Sequence, residues 1–80
     1  MDWLTTATDA VDKLDRVRVS RNWGVFAHMA AHAVGQAVRE DPEAAKPLYL
    51  RLASHFGVTA DQAEADFTKT LVSIEESRER

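Results

Sequence analysis

The segment FGVTADQAEADF, residues 56–67, decides the fold because it holds a helix end and a helix start only a few residues apart. Gly57 suits the position just after a helix, since glycine adopts positive φ without strain. Thr59 and Gln62 have the T-x-x-Q spacing of a capping box, in which two residues bond each other's free backbone amides. The segment therefore predicts that one helix ends before Gly57 and that another begins at Ala60.

The helix predicted after this turn has an apolar stripe on one side. Residues three and four positions apart share a helix face. The stripe consists of Ala60, Ala63, Phe67, Leu71 and Ile74. Charged residues dominate the end of the chain, so we expect residues 74–80 to fray as a solvated tail.

Two prolines shape the segment before the turn. Asp41 can cap a helix, and Pro42 suits the first helical position, where its missing N–H is not needed. Pro47 would clash with the carbonyl four residues earlier in a regular helix. We therefore predict a helical turn over 42–46 that ends or kinks at Pro47, followed by a short third helix over 47–56. Its predicted buried face consists of Leu48, Tyr49, Leu52, Ala53 and Phe56.

The first half of the chain predicts two further helices, over 2–17 and 21–39, with Ser20 as the N-cap of the second. The stripe of the first comprises Trp3, Ala7, Ala10, Val11, Leu14 and Val17. The apolar positions of the second are Trp23, Phe26, Ala27, Ala30, Ala33, Val34, Ala37 and Val38. They cover more than half of its circumference, which predicts a central helix with neighbours on several sides. Its narrow polar strip consists of His28, His32, Gln36 and Arg39.

Small residues recur along this central helix. Ala27, Ala31 and Gly35 are four positions apart, so another backbone could approach closely on that side. Gly24 and Gly35 each cost about 1 kcal/mol of helix propensity relative to alanine. We expect close packing to be the reason that the helix contains both glycines.

The composition favours one small helical domain. The 80 residues include 13 alanines but only three glycines and two prolines, which leaves few residues for long loops. We predict an all-α fold over residues 1–80, either a small four-helix bundle or an orthogonal helical array, with the third helix short and the second central. A chain of this length is near the lower limit for a self-sufficient core, so we expect a second copy or a partner to cover part of its surface.

Charge and composition argue against several classes of protein. The net charge is −3, which gives no general attraction to nucleic acid or to an anionic membrane. Without cysteine there is no disulfide and no thiolate site. The N-terminal segment lacks the features of a signal peptide, and no apolar run is long enough to span a membrane, so we expect a cytoplasmic protein. Seven arginines against three lysines, together with abundant alanine, are typical of bacterial or phage proteins.

One alternative is a DNA-binding regulator. The segment LASHFGVTADQAEADF resembles the helix-turn-helix unit of many bacterial regulators, with small residues at Ala53, Gly57 and Ala63 where the helices meet. The resemblance implies DNA binding through residues 48–70. A basic patch would contact phosphates, and it consists of Lys13, Arg16, Arg18 and Arg21. The outward positions of the fourth helix disfavour this alternative, because three acids face one base there, in the set Asp61, Gln62, Glu64, Asp66 and Lys69.

A second alternative is a histidine site. His28 and His32 are four positions apart and share a helix face, which is a spacing that can bind a metal ion or haem. A third ligand would have to be His55 or a carboxylate. No phosphate-binding loop or catalytic arrangement is recognisable, so we expect neither an enzyme nor a cofactor.

The favoured prediction is a non-enzymatic protein–protein interaction module, a regulator or adaptor that associates with a protein partner or with a second copy of itself. Its interface is predicted at Trp3, Trp23, Met29 and Leu50. Tryptophan is enriched at interface centres. Leu50 points away from the buried face of its helix, and the central helix has more apolar surface than one subunit can cover.

Overall fold

Four α-helices make up the described part of the chain. The computed structural model describes residues 2–17 and 22–79. The helices are α1 (Trp3–Arg16), α2 (Trp23–Glu40), α3 (Pro42–His55) and α4 (Ala60–Glu79). These residues contain no β-strand, so the predicted all-α class is confirmed. The smallest dimension of the molecule is 17 Å, which corresponds to two layers of packed helices.

The first two helices begin at Trp3 and Trp23, and a side chain caps the start of α1. The Asp2 carboxylate accepts hydrogen bonds from the Leu4 amide (3.0 Å) and the Thr5 hydroxyl (2.7 Å) at the start of α1. α2 begins at Trp23 with Asn22 at its N-cap position. The predicted cap at Ser20 and the predicted helix start at residue 21 lie outside the described residues.

α3 runs through Pro47, so the predicted start of the third helix at this proline was wrong. The helix is continuous over Pro42–His55, although at 14 residues it is shorter than α2 and α4. The Asp41 side chain accepts a hydrogen bond from a first-turn amide (3.3 Å), and Pro42 follows at the first helical position. Pro47 lies in the second turn and is exposed. Its missing N–H deprives only the carbonyl of Glu43, an exposed residue, and water can bond that carbonyl instead.

The turn between α3 and α4 forms as the sequence predicts. Gly57 has φ 78°, the left-handed conformation that only glycine adopts without strain. The amides of Gly57 and Val58 donate to the carbonyls of Ser54 (3.2 Å) and Ala53 (3.2 Å), which is the Schellman pattern of a helix C-terminus. These bonds satisfy the last carbonyls of α3 and turn the chain into α4.

Only half of the predicted capping box forms at the start of α4. The Thr59 hydroxyl accepts a hydrogen bond from the Gln62 amide (3.2 Å). The Gln62 side chain does not return to Thr59; instead it donates to the Asp66 carboxylate one turn further on (3.0 Å). The helix still begins at Ala60.

The core lies between α1, α2 and α3, with α4 packed on α3. Its buried members are Ala7, Val11, Leu14, Ala27, Ala30, Ala33, Val34, Ala37, Val38, Ala45, Leu48, Leu52 and Phe67. Six of them belong to α2, more than to any other helix, which agrees with its predicted central place. α4 is attached mainly through Phe67, while Leu71 and Ile74 are only partly buried against the core.

Close packing does not explain the two glycines of α2. A Cβ atom built at Gly24 or at Gly35 meets no atom within 4 Å. Within this chain the expected close approach of another backbone is therefore not found at either glycine. Ala31, one turn before Gly35, is also exposed. The reason is that the neighbours of α2 pack on its opposite side, where its buried alanines and valines lie.

Candidate interaction surface

One side of α2 leaves large apolar side chains in contact with solvent. Val25 is 61% exposed and Met29 is 57% exposed, and they are the two most exposed large hydrophobic residues among the described ones. They lie four positions apart, so they share a helix face. His28 and His32 are exposed next to them. We call these four residues the outer α2 face.

An indole from α1 borders this face. The Trp3 ring meets the His32 ring edge to face, with centroids 5.6 Å apart and an interplanar angle of 82°. Trp3 is half-buried and packs against the core with its remaining surface. The first turn of α1 therefore extends the outer α2 face with an aromatic side chain.

The four predicted interface residues do not form one patch. Met29 is exposed, whereas Trp3, Trp23 and Leu50 are half-buried. The Trp23 ring meets the exposed Phe56 ring edge to face, with centroids 5.6 Å apart. Trp23 lies nine positions before His32, the α2 residue that contacts Trp3. Nine helical residues span about 13 Å, so Trp23 lies at the start of α2, whereas Trp3 lies beside its middle. Whether any of the four contacts a partner stays a prediction.

Val25 is not among the interface residues predicted from the sequence, although it lies four positions before Met29. Counting apolar positions around α2 identified the buried side correctly, yet Val25 falls opposite that side. The predicted polar strip is largely confirmed, since His28, His32 and Arg39 are exposed and only Gln36 is half-buried.

A second cluster, of charged side chains, joins α1 to α3. Arg51 donates hydrogen bonds to the Asp12 carboxylate (3.0 Å) and the Asp15 carboxylate (2.5 Å). The other Asp15 oxygen lies 2.5 Å from Nε2 of His55, whose side chain is 10% exposed. The Ser54 hydroxyl is bonded to the Arg51 carbonyl (2.6 Å) rather than to the imidazole. These partners are 36 to 40 positions apart in the chain, so no local pattern could have predicted the cluster.

The cluster shifts the pKa of Asp15. Burial raises the pKa of this carboxyl, but hydrogen bonds and charge from Arg51 and His55 outweigh the burial, so the pKa lies below its usual value. The carboxylate is 43% exposed. Solvent screening therefore limits what the ion pair contributes to stability.

We expect the contribution of Asp15 to stability to depend on pH. A carboxyl whose pKa is lower in the folded state stabilises the fold above its unfolded pKa of about 4, and this contribution disappears as pH falls through the folded pKa. Asp15→Asn should lower the free energy of unfolding at neutral pH by up to about 1 kcal/mol. Below that folded pKa the difference from the original protein should vanish. Urea unfolding at several pH values measures it, with Asp9→Asn, on the exposed side of α1, as the control. A difference that is unchanged by acid would contradict the assignment.

The predicted basic patch is only partly described by the structure. Lys13 places its ammonium 4.7 Å from the centre of the Phe26 ring, so it stabilises the α1–α2 contact. Arg16 is exposed near the end of α1. Arg18 and Arg21 lie outside the described residues.

The residues behind the two alternative functions, DNA binding and a histidine site, lie in different parts of the described structure. Ala63 is buried at the α3–α4 corner, as in a helix-turn-helix, but the exposed start of α4 includes Asp61 and Glu64 and gives DNA binding no support. His28 and His32 are neighbours, while His55 pairs with Asp15 on another side of the molecule. Over residues 2–17 and 22–79, no three potential ligands converge on a metal site.

Comparisons with known proteins do not assign this chain to a family. No family model matches the sequence, and no curated protein or solved structure shows significant similarity to it. None of the four helices, over the residues that the structure describes, has both the length and the apolar composition that a membrane span requires.

Proposed function

We propose that this chain is a non-enzymatic interaction module that associates with a second copy of itself through the outer α2 face. The observation that carries the proposal is the exposure of Val25 and Met29 side by side on the helix that supplies more core residues than any other. Burying apolar surface contributes about 25 cal/mol per Å². Covering these side chains is therefore favourable, and none of the four described helices covers them.

The surroundings of this pair suit a symmetric contact. A two-fold axis brings the same face of both copies together, so each Met29 can pack on apolar surface of the partner copy. Trp3 and His32 flank the pair and add aromatic area at its edge. The four residues that define the face include no aspartate, glutamate, lysine or arginine.

Sedimentation across a range of micromolar concentrations tests the proposal. We expect the average mass of the original protein to rise with concentration towards that of a dimer. Met29→Glu should remain monomeric, because association would bury a carboxylate without a partner. A monomer at every concentration would refute self-association.

A matched variant separates this face from general hydrophobicity. Val72 of α4 is 50% exposed, close to the value for Met29, and it lies away from the outer α2 face. Val72→Glu should therefore associate as the original protein does. Equal loss of association in both variants would place the interface elsewhere.

A further inference from the structure

A long groove separates α2 from α4 on another side of the molecule. Its volume is about 520 Å³. Val34, Val38 and Leu52 form its apolar floor, and each is less than one-tenth exposed. The groove exists because α4 packs on α3 through Phe67 and leaves the adjoining side of α2 uncovered.

The α2 wall of this groove contains two small residues. It is formed by Ala31, Gly35 and, towards the end of α2, Arg39, and the space next to the Gly35 backbone is open. Small residues allow another helix to approach within the 8–10 Å that separates packed helices. Gly35 lowers helix propensity by about 1 kcal/mol relative to alanine, so its presence in the middle of α2 is consistent with a helix docking there.

Both charged residues that line the groove are basic, while Asp66, in an adjoining cavity that shares Tyr49 and Leu52 with the groove, accepts a hydrogen bond from Gln62. Arg39 and Lys69 lie on opposite walls. A smaller cavity continues the groove towards the end of α4, shares Arg39, Ser73 and Ile74 with it, and adds Arg78. Arg78 also donates a hydrogen bond to the Arg39 carbonyl, which holds the two helices together at that end. None of the described residues that line either cavity is acidic, although the chain as a whole has a net charge of −3.

We infer that this groove binds an amphipathic helix of a partner protein, with an apolar stripe flanked by acidic residues. The apolar stripe would lie on Val34, Val38 and Leu52, and its backbone would pass over Gly35. Carboxylates along its edges would pair with Arg39 and Lys69, which favours an acidic helix over a basic one. This is the helix-in-groove mode of recognition. The binding site is separate from the outer α2 face, so it can be tested independently of self-association.

Titration of the Met29→Glu protein with a model peptide tests the inference without interference from dimers. The probe is a synthetic amphipathic peptide of leucine, alanine and glutamate, and the comparison peptide has lysine in place of every glutamate. In NMR spectra of the ¹⁵N-labelled protein, we expect the acidic peptide to shift the amide signals of Gly35, Val38 and Ser73. The lysine peptide should leave them unchanged.

Two variants locate the binding site. Gly35→Leu places a side chain on the α2 wall of the groove, where its Cβ meets no atom within 4 Å, and it should weaken binding of the acidic peptide by about tenfold or more. Gly24→Leu is the matched control, because Gly24 is also an exposed α2 glycine with open space beside it but lies outside the groove. Lys69→Glu should also weaken binding. Absence of signal shifts, equal shifts with both peptides, or equal binding by the two glycine variants would each overturn the inference.

Discussion

Replacing Phe67 with alanine is expected to destabilise the protein by about 3–5 kcal/mol, the cost typical of deleting a buried aromatic side chain. Phe67 is 3% exposed and meets the Tyr49 ring edge to face, with centroids 5.3 Å apart. Of the described residues of α4, only Ala63 shares this degree of burial. The phenyl ring is therefore the main attachment of α4, and small domains have only about 5–15 kcal/mol to lose.

The loss should be uneven across the molecule. Hydrogen exchange should accelerate first in α4, because the core between α1, α2 and α3 does not depend on this helix alone. Urea unfolding followed by circular dichroism gives the change in free energy. Val72→Ala removes an exposed apolar side chain from the same helix and should change stability by less than about 0.5 kcal/mol. A change of similar size in both variants would show that Phe67 does not anchor α4.

Phe67→Ala should also affect the groove between α2 and α4. When α4 detaches, the groove loses the wall that carries Lys69 and Ser73. Phe67→Ala should therefore also lose the acidic peptide. The outer α2 face contains no residue of α4, so self-association should persist as long as α1, α2 and α3 remain folded.

Replacing Leu14 with alanine is expected to cost about 2–5 kcal/mol and to destabilise the whole molecule. Leu14 has no exposed surface and is the largest fully buried side chain of the described residues. Removing its methyl groups leaves a cavity in the core that α1 shares with α2 and α3. Because this core is common to three helices, hydrogen exchange should accelerate in all of them together rather than in one.

A second leucine provides the control for this experiment. Leu50 is half-buried and does not belong to the core cluster. Leu50→Ala deletes the same atoms, so its smaller expected effect, below about 1.5 kcal/mol, isolates the contribution of burial. Equal free-energy changes for Leu14→Ala and Leu50→Ala would mean that the packing around Leu14 is not the source of stability.

Local features were predictable because they depend on residues that are neighbours in the chain. Asp41 and Pro42 start α3, and Gly57 ends it with the positive φ that glycine permits. The periodic stripe of α1 identified Val11 and Leu14 as buried. The helix does not end at Pro47, because losing one hydrogen bond near the exposed start of α3 costs less free energy than ending the helix there.

The candidate surfaces were predictable only in part. Met29 was identified from the sequence, but Val25 was not, and the other predicted interface residues lie elsewhere. Periodicity shows which side of a helix is apolar. It does not show which part of that side the neighbouring helices will cover.

The sequence by itself determined the all-α class with four helices, the Asp41 cap of α3, the glycine turn and the buried side of α2, since these follow from interactions within one or two helical turns. Tertiary structure alone decided that Asp15 meets Arg51 and His55, that Val25 and Met29 remain uncovered, and that a groove opens beside Gly35. Each of these depends on how helices distant in the chain pack against one another. That arrangement is set by the summed fit of many side chains rather than by any local pattern.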